Sequence, residues 1–295
     1  MKRTLFFSVL MFLGSSLILG IAPYLQIAEF SGSLTDARDE VVSVLKESGY
    51  EILGEYPPGN NPDLYVVAFT SKDLIDLCKQ APEQGMLAAA MKVGFIDEGD
   101  SINISLLNPE YLFYAYFREL MDDSDFQSSA VSISNAIKKD LEAVGSLSIP
   151  FGGDEEVKDL KKYRYMAGMP NFEKQIELAE FESFDSGLAL IRENLSALNG
   201  NTAKVYELID EEAKIAVFGI ALSDPEEGEA HFLPIIGEGH VAAMPYEIIL
   251  EHNKASMLHG RFRFAVHWPE LTMGTFTKIM SSPGDVEDAM KTVME

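Results

Sequence analysis

Cysteine occurs once, at Cys78, so the chain can build neither an internal disulfide framework nor a cysteine-rich metal site. Histidine is nearly as sparse. His231, His240, His252, His259 and His267 all lie in the second half, and no two are spaced as HxH, HxxxH or HExxH. Bases are scarce as well, 23 against 47 acids, for a net charge of −24. A surface of that sign repels phosphate backbones and anionic headgroups, which argues against nucleic acid as a partner and against a basic membrane-surface patch. Apolar residues are plentiful: at 47% of 295 positions they suffice for two cores of ordinary domain size.

The longest apolar run stands at the start. Lys2 and Arg3 precede it, it extends from Leu5 to about Leu25, and Glu29, Asp36 and Asp39 follow. About 20 apolar residues cross a hydrocarbon core as a helix. Cations before and acids after orient such a segment with its short end in the cytoplasm and the bulk outside. Residues 1–32 are therefore expected to be a signal anchor that ties the chain to the membrane with its domains on the extracytoplasmic, periplasmic side. A small-x-small site at Gly20 and Ala22 leaves a cleaved signal peptide, and hence a secreted protein, as the alternative.

The rest reads as one unit written twice. Ser33, with Asp36 three positions on, caps a helix striped by Val41, Val44 and Leu45 and stopped at Gly49; Leu188, Ile191, Leu195 and Leu198 make a second such helix, stopped at Asn199 and Gly200. Strand candidates follow each, "YEILGEY" and "AKVYELI", then "YVVAF" and "IAVFGIAL", where Phe69 matches Phe218. Next, "AAAMKVGFI" matches "VAAMPYEIIL". A polar turn and a returning strand, "SINISLL" or "RFRFAV", then run into "NPE" at Asn108 and "WPE" at Trp268. Proline and an acid suit the first turn of a helix, so a helix is expected after Pro109 and after Pro269. Phe69 to Phe218 is 149 positions, Ala89 to Ala242 is 153 and Pro109 to Pro269 is 160, as longer loops in the second copy would give. A closing helix carries Ile133, Ile137, Leu141 and Val144 in one copy and Val286, Ala289, Met290 and Val293 in the other. The expected architecture is α+β: two repeated domains, 33–147 and 173–295, each an antiparallel sheet covered by helices, joined by a linker over 148–172 in which Tyr163, Tyr165 and Met166 partly dock.

This succession of a glycine-terminated helix, a "VVAF" or "AVFG" strand, small residues with Met before a hairpin, and a strand running into Pro-Glu resembles the uncharacterised domain of unknown function 302 family, over about 34–145 and again over about 174–294. The resemblance implies a small α+β domain able to self-associate, with no settled activity and no catalytic residues. Thr70-Ser71 stand where that family has Asn-Pro, and nothing comparable follows Phe218, which puts any site at that turn in doubt.

Candidate chemistry is thin. His252 and His259 flank the expected hairpin turn and are the pair best placed to share a metal, against the plainer reading as loop histidines. Cys78 in "DLIDLC" lacks a base in its own half and reads as an inert buried thiol. Glu110 and Glu270, equivalent in the repeat, could pair as acid and base, although complementing a helix dipole explains both. The acidic runs at Asp122, Gly153 and Asp224 lack calcium-loop spacing and read as solvated loops. Tyr111, Phe113, Tyr114, Tyr116 and Phe117 point all around one helix, so a second domain, another copy of the chain or an apolar ligand must cover what one stripe cannot bury, which marks Tyr111, Tyr114 and Phe117 as a ligand or interface surface. The sequence names no cofactor. It points to a membrane-anchored binding or accessory module, with a metal- or cofactor-dependent envelope enzyme using the second-domain histidines, or a structural subunit of a membrane complex, as alternatives.

Overall fold

The computed structural model describes residues 20–81 and 83–295. The first half contains β1 (Gly20–Ile21), β2 (Tyr24–Phe30), α1 (Leu34–Glu47), β3 (Glu51–Tyr56), β4 (Leu64–Thr70), α2 (Lys72–Cys78), β5 (Met91–Asp97), β6 (Ile102–Leu107), α3 (Pro109–Phe117) and α4 (Ser124–Leu141). A middle segment holds β7 (Ile149–Phe151), β8 (Glu155–Glu156) and α5 (Val157–Leu160). The second half contains β9 (Ile176–Glu180), α6 (Phe184–Ser196), β10 (Thr202–Asp210), β11 (Ile215–Leu222), α7 (Glu229–Ile236), β12 (Tyr246–Glu251), β13 (Lys254–Met257), α8 (Gly260–His267), α9 (Met273–Phe276) and α10 (Ser282–Thr292).

Among the described residues, one large sheet runs β3-β4-β5-β6-β2-β7, another β10-β11-β12-β13-β9, and β1 pairs with β8 in a two-stranded ribbon, with antiparallel pairing throughout. The mixed α+β fold is thus two antiparallel sheets flanked by helices. Chemistry at the ends of α1 explains its extent. The Asp36 amide donates to Ser33 Oγ at 3.1 Å, the Ser33 amide donates to Asp36 Oδ2 at 3.4 Å, and Gly49 takes φ +89° just beyond the last turn. Ala37, Val41 and Leu45, spaced by four, are buried against the sheet.

The second sheet repeats the strand order of the first, β3-β4-β5-β6-β2 against β10-β11-β12-β13-β9. It also repeats the irregularities. Leu53 bulges out of the β3–β4 ladder and Val205 out of β10–β11; Ile27 bulges out of β2–β6 and Leu178 out of β9–β13. These markers set the correspondence at 151 or 152 positions and correct the sequence alignment. The structural counterpart of Phe69 is Ile220, which precedes the same bulge, two residues beyond Phe218.

The larger correction falls at the end of each half. "RFRFAV" is helical, within α8, and the returning strand is only Lys254–Met257. Pro269 and Glu270 lie in the turn after α8 rather than opening a helix, so α8 itself is the counterpart of α3. The matching "NPE" and "WPE" are not matching places in the fold.

Two further boundaries move. Within the expected anchor, residues 20–30 hold β1 and the whole of β2, with Tyr24 completely buried. Residues 1–19 lie outside the described residues, and among those described no helix is long and apolar enough to cross a membrane. The expected linker is built into the body: β7 extends the first sheet beside β2, β8 pairs with β1, and Leu160, Tyr163 and Phe172 are buried. Tyr165 is only partly covered and Met166 is exposed.

Candidate functional site

Helices α1 and α6 cover one face of their respective sheets, and the other faces meet in a seam. The packing there is reciprocal. The tight turn at Gly85–Ala89 lies on β11 and β12, the turn at Glu238–Ala243 lies on β4, β5 and β6, and β3 runs beside β10. Glycine permits this approach: a Cβ on Gly94 would stand 2.6 Å from Val241 Cγ1 and 2.8 Å from the Ala242 amide nitrogen.

Polar groups are buried in the seam at three places. At its centre the Lys92 ammonium pairs with the Glu247 carboxylate, both almost wholly buried. Tyr206 donates to the same carboxylate at 3.3 Å, and the Arg263 guanidinium stands 3.5 Å from its other oxygen. Arg263 also lies 3.6 Å above the Tyr246 ring and donates to the carbonyls of Ala243 and Pro245 at 2.6 and 2.8 Å. Burial lowers the Lys92 pKa from its ordinary value against the opposing pull of Glu247.

The second place is a cleft of about 190 Å³ between β3 and β10, lined by Tyr56, Pro57, Gly59, Lys204, Ser223 and Glu229 among others. Glu229 opens α7 and is 1% exposed. Its carboxylate accepts from Tyr56 Oη at 2.9 Å, from the Gly59 amide at 2.9 Å and from the Leu222 amide at 3.4 Å. Burial nevertheless pushes it up to about 7, outweighing those hydrogen bonds and the Arg263 charge, which lower it. A carboxyl so placed has both protonation states within reach near neutrality.

The third place gathers aromatic residues and histidines. The Tyr24 hydroxyl donates to the His267 carbonyl at 3.1 Å and lies 3.4 Å from its Nδ1, and the Tyr116 hydroxyl lies 3.3 Å from its Nε2. His240 stacks on Trp268, and its Nε2 stands 3.4 Å from Glu270. Burial and then the Arg263 charge hold His267 well below the usual histidine range, and burial lowers His240.

The residues singled out from the sequence fall in various places. Tyr111, Tyr114 and Phe117 are buried, not displayed. Tyr111 donates to the Val266 carbonyl of the second half at 2.8 Å, Gln127 donates to Tyr114 Oη at 2.9 Å, and Phe117 packs on Phe113 and Phe126. The second half, α4 and the middle segment therefore cover this helix. Glu110 pairs with Lys138 at 3.3 Å, while Glu270 approaches His240; with their positions no longer equivalent, the two do not form an acid–base pair. His252 sits in the β12–β13 turn and His259 beyond the far end of β13, so a strand separates them and they cannot share an ion. Among the described residues no group of three or more His, Cys, Asp or Glu side chains could hold a metal. Cys78 is buried and free, its thiol pushed well up by burial.

Sequence reading missed Lys92, Glu247, Arg263, Glu229 and Tyr56. Two left a signal: Lys92 is the one charge in "AAAMKVGFI" and Glu247 the first in "MPYEIIL", opposite charges isolated in apolar strands. Glu229 was hidden in "DPEEGE", where Asp224, Glu226 and Glu227 indeed form a capped surface turn.

Fold and site together define a mixed α+β protein whose two sheets are held by buried polar contacts. No family model matches the chain, and no curated protein does. Among solved structures it is similar to an uncharacterized conserved protein DUF302 from Bacillus stearothermophilus, at 12% identity and a TM-score of 0.34, over 41% of this chain and 97% of that one.

Proposed function

We propose that the chain is a binding or accessory module of the cell envelope, anchored through its N-terminal apolar segment with the body outside the cytoplasm, and built from two copies of one unit of the domain of unknown function 302 kind. The recurring strand order and bulges support duplication. One observation carries the accessory reading: the buried ionisable and aromatic groups in the seam are spent on joining one half to the other, as Lys92 is on Glu247 and Tyr56 on Glu229. Such use is that of a rigid body presenting a surface. The sequence before Gly20, cationic and then apolar, supports the anchor.

The test is location and state. A reporter active only outside the cytoplasm, fused after Glu295, should be active. The full chain should resist alkaline extraction from membranes, and its intact mass should include residue 1. A silent reporter refutes the placement, and a mass lacking the apolar segment replaces the anchor with a cleaved signal.

A second reading, an envelope enzyme, rests on the Glu229 cleft: an acid raised to about 7 beside a hydroxyl, at the floor of a cavity formed by both halves. Activity abolished by Glu229→Gln without loss of fold would favour it.

A further inference from the structure

We propose that the surface from Lys158 to Arg164, continued by the hollow around Met273, lies against the membrane and takes the headgroups of anionic phospholipids. The inference rests on the anchored reading above, and it locates a basic surface that overall charge argued against.

The pairing of β1 with β8 carries it. Gly20 stands opposite Glu156 and Ile21 opposite Glu155, so the point where the N-terminal segment joins the body is fixed immediately beside α5. In a chain with 47 acids to 23 bases, Lys158, Lys161, Lys162 and Arg164 crowd into that stretch. Lys158 pairs with Glu156 at 2.6 Å and Lys161 with Asp122. Among the described residues no carboxylate lies within ion-pair distance of Lys162 or Arg164. Both cations line two adjoining hollows. One, of about 200 Å³, also holds Arg118 and Lys161, with Glu119 and Glu173 at its wall. The other, of about 370 Å³, holds Lys158 with Glu155 and Asp159. Arg118 is already paired with Glu83 and Glu173, so Lys162 and Arg164 are the cations these hollows leave for an anion.

The same surface turns apolar further on. Tyr165 lines the larger hollow and also a neighbouring one with Met169, Leu271, Met273 and Phe276. Met166 and Met273 stand 47% and 46% exposed, among the few large apolar side chains so placed. Cations beside exposed methionines and a tyrosine suit the boundary between headgroups and acyl chains.

A body joined to its anchor at Gly20 keeps the surface beside that residue near the headgroup layer, where each cation strengthens partition onto anionic lipid about fivefold.

The experiment uses the full-length protein in nanodiscs of phosphatidylcholine, alone or with one-third phosphatidylglycerol. Amine acylation is read by peptide mass spectrometry at Lys162, with Lys46 and Lys254 as distant references. Anionic lipid should slow labelling of Lys162 several-fold and leave Lys46 and Lys254 unchanged. Oxidation of Met166 should slow with it, and Lys162→Gln with Arg164→Gln should remove the lipid dependence of Met166 oxidation. Inserted protein whose Lys162 and Met166 react equally in both discs overturns the surface and leaves the anchor standing. Protein that does not enter discs overturns the anchor, and the surface with it.

Discussion

Replacing Glu229 by glutamine should flatten the pH dependence of stability. The carboxyl is raised from an ordinary 4.5 to about 7 in the folded protein, so the folded state holds its proton more tightly than the unfolded chain does. Stability from this group is therefore full below the unfolded value and is lost as pH climbs through the folded one. At about 1.4 kcal/mol per pH unit of difference, the loss comes to about 3 kcal/mol between pH 4.5 and pH 7. Desolvation at 1% exposure is the cause, and it is large because three hydrogen bonds to the carboxylate do not cancel it.

Glutamine is nearly isosteric and keeps acceptors for Tyr56 and Leu222, but its amide turns an N–H toward the Gly59 amide and costs about 1–3 kcal/mol at every pH. The informative quantity is therefore the difference in slope, not the offset. Urea denaturation of both proteins from pH 5 to pH 8 measures it: the wild-type should lose about 3 kcal/mol more than the variant across that range. Parallel curves would show that Glu229 does not titrate in that window, and the raised value together with the cleft chemistry built on it would fall.

Other perturbations separate the seam from the surface. Lys92→Met leaves Glu247 buried beside Tyr206 and Arg263 alone, and should cost about 3–5 kcal/mol in the same assay, with Lys92→Met plus Glu247→Gln recovering part of it. Gly94→Ala would push a methyl into Val241 and Ala242 and should cost about 1–3 kcal/mol, whereas Gly99→Ala, with open space around it, should show only the smaller strain of its positive φ. Phe117→Ala, in a 4% exposed site against Phe113 and Phe126, should lower stability by about 3–5 kcal/mol; release of a partner with stability intact would mean that α3 is a docking surface after all. Changing His252 and His259 to alanine together should leave metal content measured by mass spectrometry unaltered, since β13 holds them apart.

The helices and most strands were legible because local chemistry writes them. Ser33 with Asp36, the spacing of Val41 and Leu45, and the short β-branched and aromatic run of β4 each need only near neighbours to be understood. Strand β2 was not legible, because its first residues, Tyr24 and Leu25, close the apolar run that starts at Leu5, so the strand is absorbed into that run instead of standing apart from it. "RFRFAV" failed for the opposite reason. It alternates like a strand, yet Arg263 is completely desolvated under Tyr246 and bonded to two carbonyls, a setting created only when α8 meets the turn before β12.

The sequence comparison of the halves slipped in a way that sheets make easy. Pairing Phe69 with Phe218 instead of Ile220 is an error of two residues, and two is the period of a strand, so every side chain stays on its own face and the mistake leaves no mark in the hydrophobic pattern. A bulge has no such degeneracy, since it occurs once per ladder and shifts the register by one. Leu53 with Val205 and Ile27 with Leu178 therefore fix what composition leaves free. The candidate site obeys the same logic. Lys92 and Glu247 point away from the helix-covered faces of their strands, and an isolated charge there demands a partner from outside its own sheet. Opposite lone charges in two corresponding strands thus imply that those strands face each other, and swapping them, Lys92→Glu with Glu247→Lys, should in urea denaturation recover only part of the stability that either change alone removes, because Arg263, 3.5 Å from the Glu247 carboxylate, then meets a second cation.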